Sequence, residues 1–132
     1  MKDKIATILI ADQNLENEDK LRIKLLNEGF RVFTVDSGRD AILYSRKRNI
    51  DIAIIDVNLN DIEGYKIIPL IKDINKNIKI IMTTSENSVS LERKCRATGI
   101  IYYAIKPLDT GLITDIVKRV IFKNKTINYY VK

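Results

Sequence analysis

Five apolar runs punctuate the chain, and each is followed by a stretch with helical spacing. The runs are Ile5–Ala11 (IATILIA), Phe30–Val35 (FRVFTV), Ile52–Ile55, Ile78–Met82 (IKIIM) and Ile100–Ile105 (IIYYAI). Between them, Leu21 and Leu25 fall at helical spacing ahead of Gly29, a residue suited to a helix C-terminus. Asp36-Ser37-Gly38 reads as a helix start leading into RDAILYSRKR. Gly64–Ile74 is helical in pattern, and Pro69 inside it predicts a kink or a place in an early turn. Ser88–Ala97, followed by Gly99, and Leu112–Phe122 complete five helical segments. The pattern leaves NKTINYYVK open, as the start of a linker or an extension of the last helix. Strict alternation of this kind, with strands that do not alternate polar and apolar, implies a parallel sheet covered on both faces. Crossovers are right-handed, so the expected fold class is an open, doubly wound α/β sheet.

At 132 residues the chain suits one domain, with 1–123 as the domain and 124–132 as a tail. Hydrophobic residues make up 45% and charged residues 30%, which predicts an ordered core and not a disordered segment. The absence of His removes His-ligated zinc, His general bases and Ser-His or Cys-His nucleophile pairs. A single Cys, and an N-terminal run that ends in Asp12-Gln13 without a cleavage site, predict a reducing, cytoplasmic setting. No apolar run approaches the roughly 18–20 residues of a membrane span. The net charge of +6 is spread along the chain without interleaved aromatics, a pattern of a solvated surface and not of a nucleic-acid site.

Doubly wound sheets place function outside the carboxyl ends of their strands. Asp56 closes the third apolar run. Taken alone it reads equally well as a functional carboxylate or as the cap of the next turn. The other strand ends weight that choice: Asp12-Gln13 ends the first run, Thr83-Thr84-Ser85 the fourth and Lys106-Pro107 the fifth. One sheet edge thus presents carboxylates, hydroxyls and an ammonium.

The pieces ILIADQN, IIDVNLNDIEG, IIMTTSE and YYAIKPLD resemble the receiver domain of two-component response regulators, over residues 5–122. Asp56 and Thr84 are 28 residues apart and Thr84 and Lys106 are 22 apart, gaps normal for that family. The resemblance implies a flavodoxin-like sheet with strand order 2-1-3-4-5. It implies that Asp56 takes a phosphoryl group from a phosphohistidine on a sensor histidine kinase or phosphotransfer protein. Mg²⁺ would be held by Asp12, Asp56 and the main-chain carbonyl of Asn58. Lys106 would pair with the phosphoryl oxygens, Thr84 would move in to bond them, and Tyr103 would turn inward behind Thr84. On this reading Thr83 is an ordinary strand-end residue, the chain is a switch and not an enzyme, and Lys106-Pro107 matches a bond that is cis in many receivers.

Three departures qualify the resemblance. Gln13 stands where a second acid is usual, Asn60 stands where a Pro is usual, and Pro69 falls within the third helix. Gln13 matters most, because a neutral amide offers a cation only its carbonyl oxygen. Two readings follow: a working receiver with a weakened Mg²⁺ site, or a pseudo-receiver that binds partners without phosphorylation. Aspartyl-phosphate phosphatases also use a strand-end Asp, but they typically carry a second Asp two residues on, where this chain has Asn58. No helix-turn-helix follows, so output passes to a partner or to another region.

Overall fold

The computed structural model describes residues 5–131. Five strands alternate with helices as the periodicity predicts: β1 (Thr7–Ala11), β2 (Arg31–Val35), β3 (Ile52–Asp56), β4 (Lys79–Thr84) and β5 (Tyr102–Ile105). They form one sheet in the order β2-β1-β3-β4-β5, and every pairing is parallel. The helices are α1 (Asp19–Asn27), α2 (Gly38–Lys47), α3 (Ile68–Ile74), α4 (Val89–Arg96) and α5 (Thr110–Val131). Short 3-10 turns at Leu15–Glu18 and Gly64–Ile67 lead into α1 and α3.

The sheet is covered on both faces because successive strand residues point to opposite sides. Leu9, Ala11, Ala53, Ile55, Ile80 and Met82 pack with Ala41 of α2, Ile68 and Ile71 of α3 and Cys95 of α4. Ile8, Ile10, Ile52, Ile54 and Ile81 pack on the other side with Leu21 and Leu25 of α1 and Ile113 and Val117 of α5. Both sets are apolar, which is why β1 and β3 read as unbroken hydrophobic runs. Each fully buried aliphatic side chain contributes about 1.5–3 kcal/mol relative to leaving it in water.

Local chemistry sets the helix ends. Ser37 caps α2 by accepting the Asp40 N–H at 3.1 Å, and Ser88 caps α4 by accepting the Leu91 N–H at 3.2 Å. Gly29, just after α1, takes φ of +92°, a conformation that side chains resist. Pro69 lies in the first turn of α3, where its missing N–H costs no helical bond. The helix therefore starts at Ile68, after a separate turn. The segment INYYV continues α5.

Candidate functional site

Parallel pairing brings the carboxyl ends of β1, β3, β4 and β5 to one edge. Asp12 directly follows β1, and its N–H donates to the Val35 carbonyl at 3.0 Å, which fixes it at the sheet edge. Asp56 is the last residue of β3. Both acids are buried, at 2% and 3% exposure. Buried carboxylates require partners, and these have them. Asp12 accepts the Asn14 N–H at 2.9 Å and the Lys106 ammonium at 2.5 Å. Asp56 Oδ2 accepts the Asn58 N–H at 2.9 Å. Asp56 Oδ1 accepts the Thr83 hydroxyl at 2.7 Å and lies 3.0 Å from Lys106 Nζ.

Lys106 reaches this point because its own N–H donates to the Thr84 carbonyl at 2.7 Å, at the end of β5, and the bond to Pro107 is cis. Its ammonium meets a third carboxylate, Glu18 Oε1, at 3.4 Å. Burial disfavours the ammonium, but hydrogen bonds to Asp12 and Asp56 outweigh it and hold the Lys106 pKa above its ordinary value. Lys106 is therefore a fixed cation. Glu18 is 5% exposed, and its pKa is raised by that burial, with Lys106 pulling it down and Asp12 pushing it up.

The loop after Asp56 folds back over the strand end. Gly64 donates its N–H to the Val57 carbonyl at 2.6 Å, and a Cβ at Gly64 would overlap the Asp56 carbonyl oxygen. Only glycine permits that approach. Asp61 accepts the N–H groups of Gly38 and Arg39 at 2.7 and 3.0 Å, which ties the loop to the start of α2 and lowers the Asp61 pKa.

The family model of the response regulator receiver domain matches residues 8–118. The chain belongs to this family. It is 31% identical over 102 residues to the transcriptional regulatory protein ZraR of Escherichia coli O157:H7, a match that takes in 77% of this chain and 23% of ZraR. The chain thus spans about a quarter of that relative's length. It is 29% identical over 119 residues to the two-component response regulator ORR3 of Oryza sativa subsp. indica, covering 88% of this chain and 91% of ORR3. Its fold superposes on a CheY-like receiver domain protein from Methanospirillum hungatei JF-1 with a TM-score of 0.86, at 20% identity, over 93% and 98% of the two chains.

Within this receiver, the strand-end residues separate into two groups. Lys106 touches both Asp12 and Asp56. Thr84 and Tyr103 do not join them: Thr84 is fully buried, and its hydroxyl accepts the Glu86 N–H at 3.0 Å. Tyr103 is only 8% exposed, with the Arg96 guanidinium 5.8 Å from its ring centre. Its hydroxyl is buried without a hydrogen-bond partner among the described residues, and burial raises its pKa. The ring is thus already turned inward. Gln13 lies beside Asp12 with an exposed side chain.

Two residues of the site escape the sequence reading. Thr83, expected to be a bystander, bonds Asp56; the reason is register, since Asp56 and Thr83 are paired across β3 and β4. Glu18 sits among Glu16 and Asp19 in a stretch that reads as a solvated acidic helix start, and only its burial in the folded chain sets it apart.

The donors at this edge are hard oxygens, which suit Mg²⁺. That ion is commonly held by one or two carboxylates, water and a substrate phosphate. Among the described residues no group of three or more His, Cys, Asp or Glu has metal-holding geometry. Glu18 faces the ammonium and does not complete a three-acid cage.

Proposed function

We propose that this receiver accepts a phosphoryl group on Asp56 from a sensor histidine kinase or phosphotransfer protein. One observation carries this reading: the Lys106 ammonium lies 3.0 Å from Asp56 and 2.5 Å from Asp12, at the point where three strands end. A bond forms between an Asp56 oxygen and phosphorus while the P–N bond to the donor's imidazole breaks, and the imidazole leaves with the electron pair. Asp12, Asp56 and the Asn58 main-chain carbonyl would hold Mg²⁺, which supplies positive charge against the phosphoryl oxygens. Lys106 provides a second positive charge on the same group. The Thr83 hydroxyl and the Asn58 N–H orient the Asp56 carboxylate.

The readout then falls to α4, β5 and α5. Thr84 leaves the Glu86 N–H for the phosphoryl group, and Tyr103 stays inward behind it. Val89, Ile101, Ile105, Leu112 and Phe122 are exposed along these elements and give a protein partner apolar contact. Residues 1–123 make up the receiver unit, and α5 runs on beyond it to Val131 as a tail or the start of a linker. A kinase partner places the chain in the cytoplasm, and output passes through protein contact and not through direct nucleic-acid binding. Among the described residues no helix is long and apolar enough to cross a membrane.

Exposed, uncharged Gln13 supports a second reading, a pseudo-receiver that binds partners unphosphorylated. Intact-protein mass after incubation with acetyl phosphate and Mg²⁺ separates the two. The first reading predicts one added phosphoryl group, labile to hydroxylamine and lost in Asp56→Asn. Labelling that survives Asp56→Asn places the acceptor elsewhere, and no labelling under any metal condition supports the second reading.

A further inference from the structure

We infer that Glu18 is a positioning residue for Lys106, and that its charge replaces the one missing at Gln13 by offsetting the ammonium's repulsion of a divalent cation at Asp12 and Asp56. This inference rests on the receiver chemistry proposed above and adds a residue to it. Glu18 belongs to no strand end. It closes the 3-10 turn Leu15–Glu18, which brings its carboxylate to Lys106. Its carboxylate is almost completely buried, and Lys106 Nζ is the cation beside it. Glu18 and Lys106 line one cleft, whose other charged residues, Glu16, Asp19 and Lys20, are exposed to solvent.

Packing alone does not explain an acid here. A buried carboxylate is costly unless its partner compensates, and a neutral or apolar residue of the same size would be easier to bury. The charge balance supplies a reason. Lys106 is shared between Asp12 and Asp56, the two carboxylates available to a metal. An ammonium that close repels a divalent cation. With Gln13 neutral, two carboxylates would face one ammonium. Glu18 raises the ratio to three carboxylates per ammonium, the balance that an acid at position 13 would give. Because Glu18 is a third carboxylate within 3.4 Å of the Lys106 ammonium, it also holds that ammonium while one of the two aspartates is engaged elsewhere.

The test measures Mg²⁺ affinity by titration on the full chain without any phosphodonor, in wild type, Glu18→Gln, Gln13→Asp and the double variant. Glu18→Gln keeps the shape and removes only the charge. It should weaken Mg²⁺ binding about fivefold. Gln13→Asp placed in the Glu18→Gln background should restore the affinity to within about twofold of wild type, since charge added near the metal replaces charge lost beside the lysine. A purely structural role for Glu18 would not be rescued by a substitution at position 13. Unchanged Mg²⁺ affinity in Glu18→Gln overturns the inference, and so does a loss that Gln13→Asp fails to repair. The phosphoacceptor reading is judged by acetyl phosphate labelling of the wild type, so the two can fail separately.

Discussion

Replacing Lys106 with Met keeps most of the aliphatic stem and removes the charge that three buried carboxylates share. The Lys106 ammonium sits 2.5 Å from Asp12, 3.0 Å from Asp56 and 3.4 Å from Glu18. At an effective dielectric near 20, a pair about 3 Å apart carries about 5 kcal/mol of raw attraction, most of which desolvation offsets. Truncating one partner of a buried ion pair costs about 3–5 kcal/mol, because the charge left behind is uncompensated. The Lys106 side chain keeps 19% exposure. Water can therefore reach the site, and about 2–4 kcal/mol is the expected loss at neutral pH without metal. For a domain of this size that is roughly a 10 °C fall in melting temperature.

The origin of the loss gives it two dependences. Glu18, orphaned of its cation and with a pKa already raised by burial, can relieve itself by taking up a proton. The deficit of Lys106→Met should therefore shrink as pH falls towards 5. A divalent cation can also fill the vacated position, so Mg²⁺ should raise the variant's melting temperature more than the wild type's. Urea and thermal unfolding at two pH values, each with chelator and with Mg²⁺, measure all of this. A variant as stable as wild type at neutral pH without metal would refute the counter-charge account. A deficit of the same size in all four conditions would assign the loss to packing.

Three further outcomes follow from the same geometry. Gly64→Ala drives a methyl into the Asp56 carbonyl oxygen. It should cost about 2 kcal/mol or more in urea unfolding and slow labelling of Asp56, because the loop must lift away from the strand end. Glu18, with a folded pKa above its ordinary 4.5, holds its proton more tightly in the folded chain. Wild-type stability should therefore fall relative to Glu18→Gln as pH rises through the window that opens at 4.5, and the two should converge below it. Asn58 and Glu86 lie two residues beyond Asp56 and Thr84, where polar groups can orient a hydrolytic water. The phosphoryl group should last minutes and not days, and a species stable overnight at neutral pH removes that role from the pair.

The sheet was legible because its physics is local. Ile8 and Ile10 face one helical layer and Leu9 and Ala11 the other, so burial on both sides leaves an unbroken apolar run in the sequence. Pro69 was legible as a constraint: its ring excludes the middle of a helix, and it occupies the first turn of α3. The strand-end residues Asp12, Asp56 and Lys106 were legible as candidates because each stops an apolar run with a charge. That two of them share the third is a product of strand order, which joins Asp12 and Lys106 across 94 positions.

Thr83 and Glu18 show where such reading stops. Thr83 and Thr84 are neighbours of the same chemical type, and which hydroxyl meets Asp56 in the resting chain depends on a register that a shift of one residue would reverse. Glu18 depends on how the 3-10 turn before α1 is wound. On an ordinary helical start it would be one of three acids in water; on this turn it is the buried one, at 5% exposure. A reading confined to strand ends finds the pocket short of one carboxylate at Gln13. The folded chain has the same number by another route, with the acid displaced five residues along and set against the lysine instead of the metal. Charge in a buried pocket is counted over everything that reaches it, so the loss of an acid at one position does not decide function until the neighbouring turns have been placed.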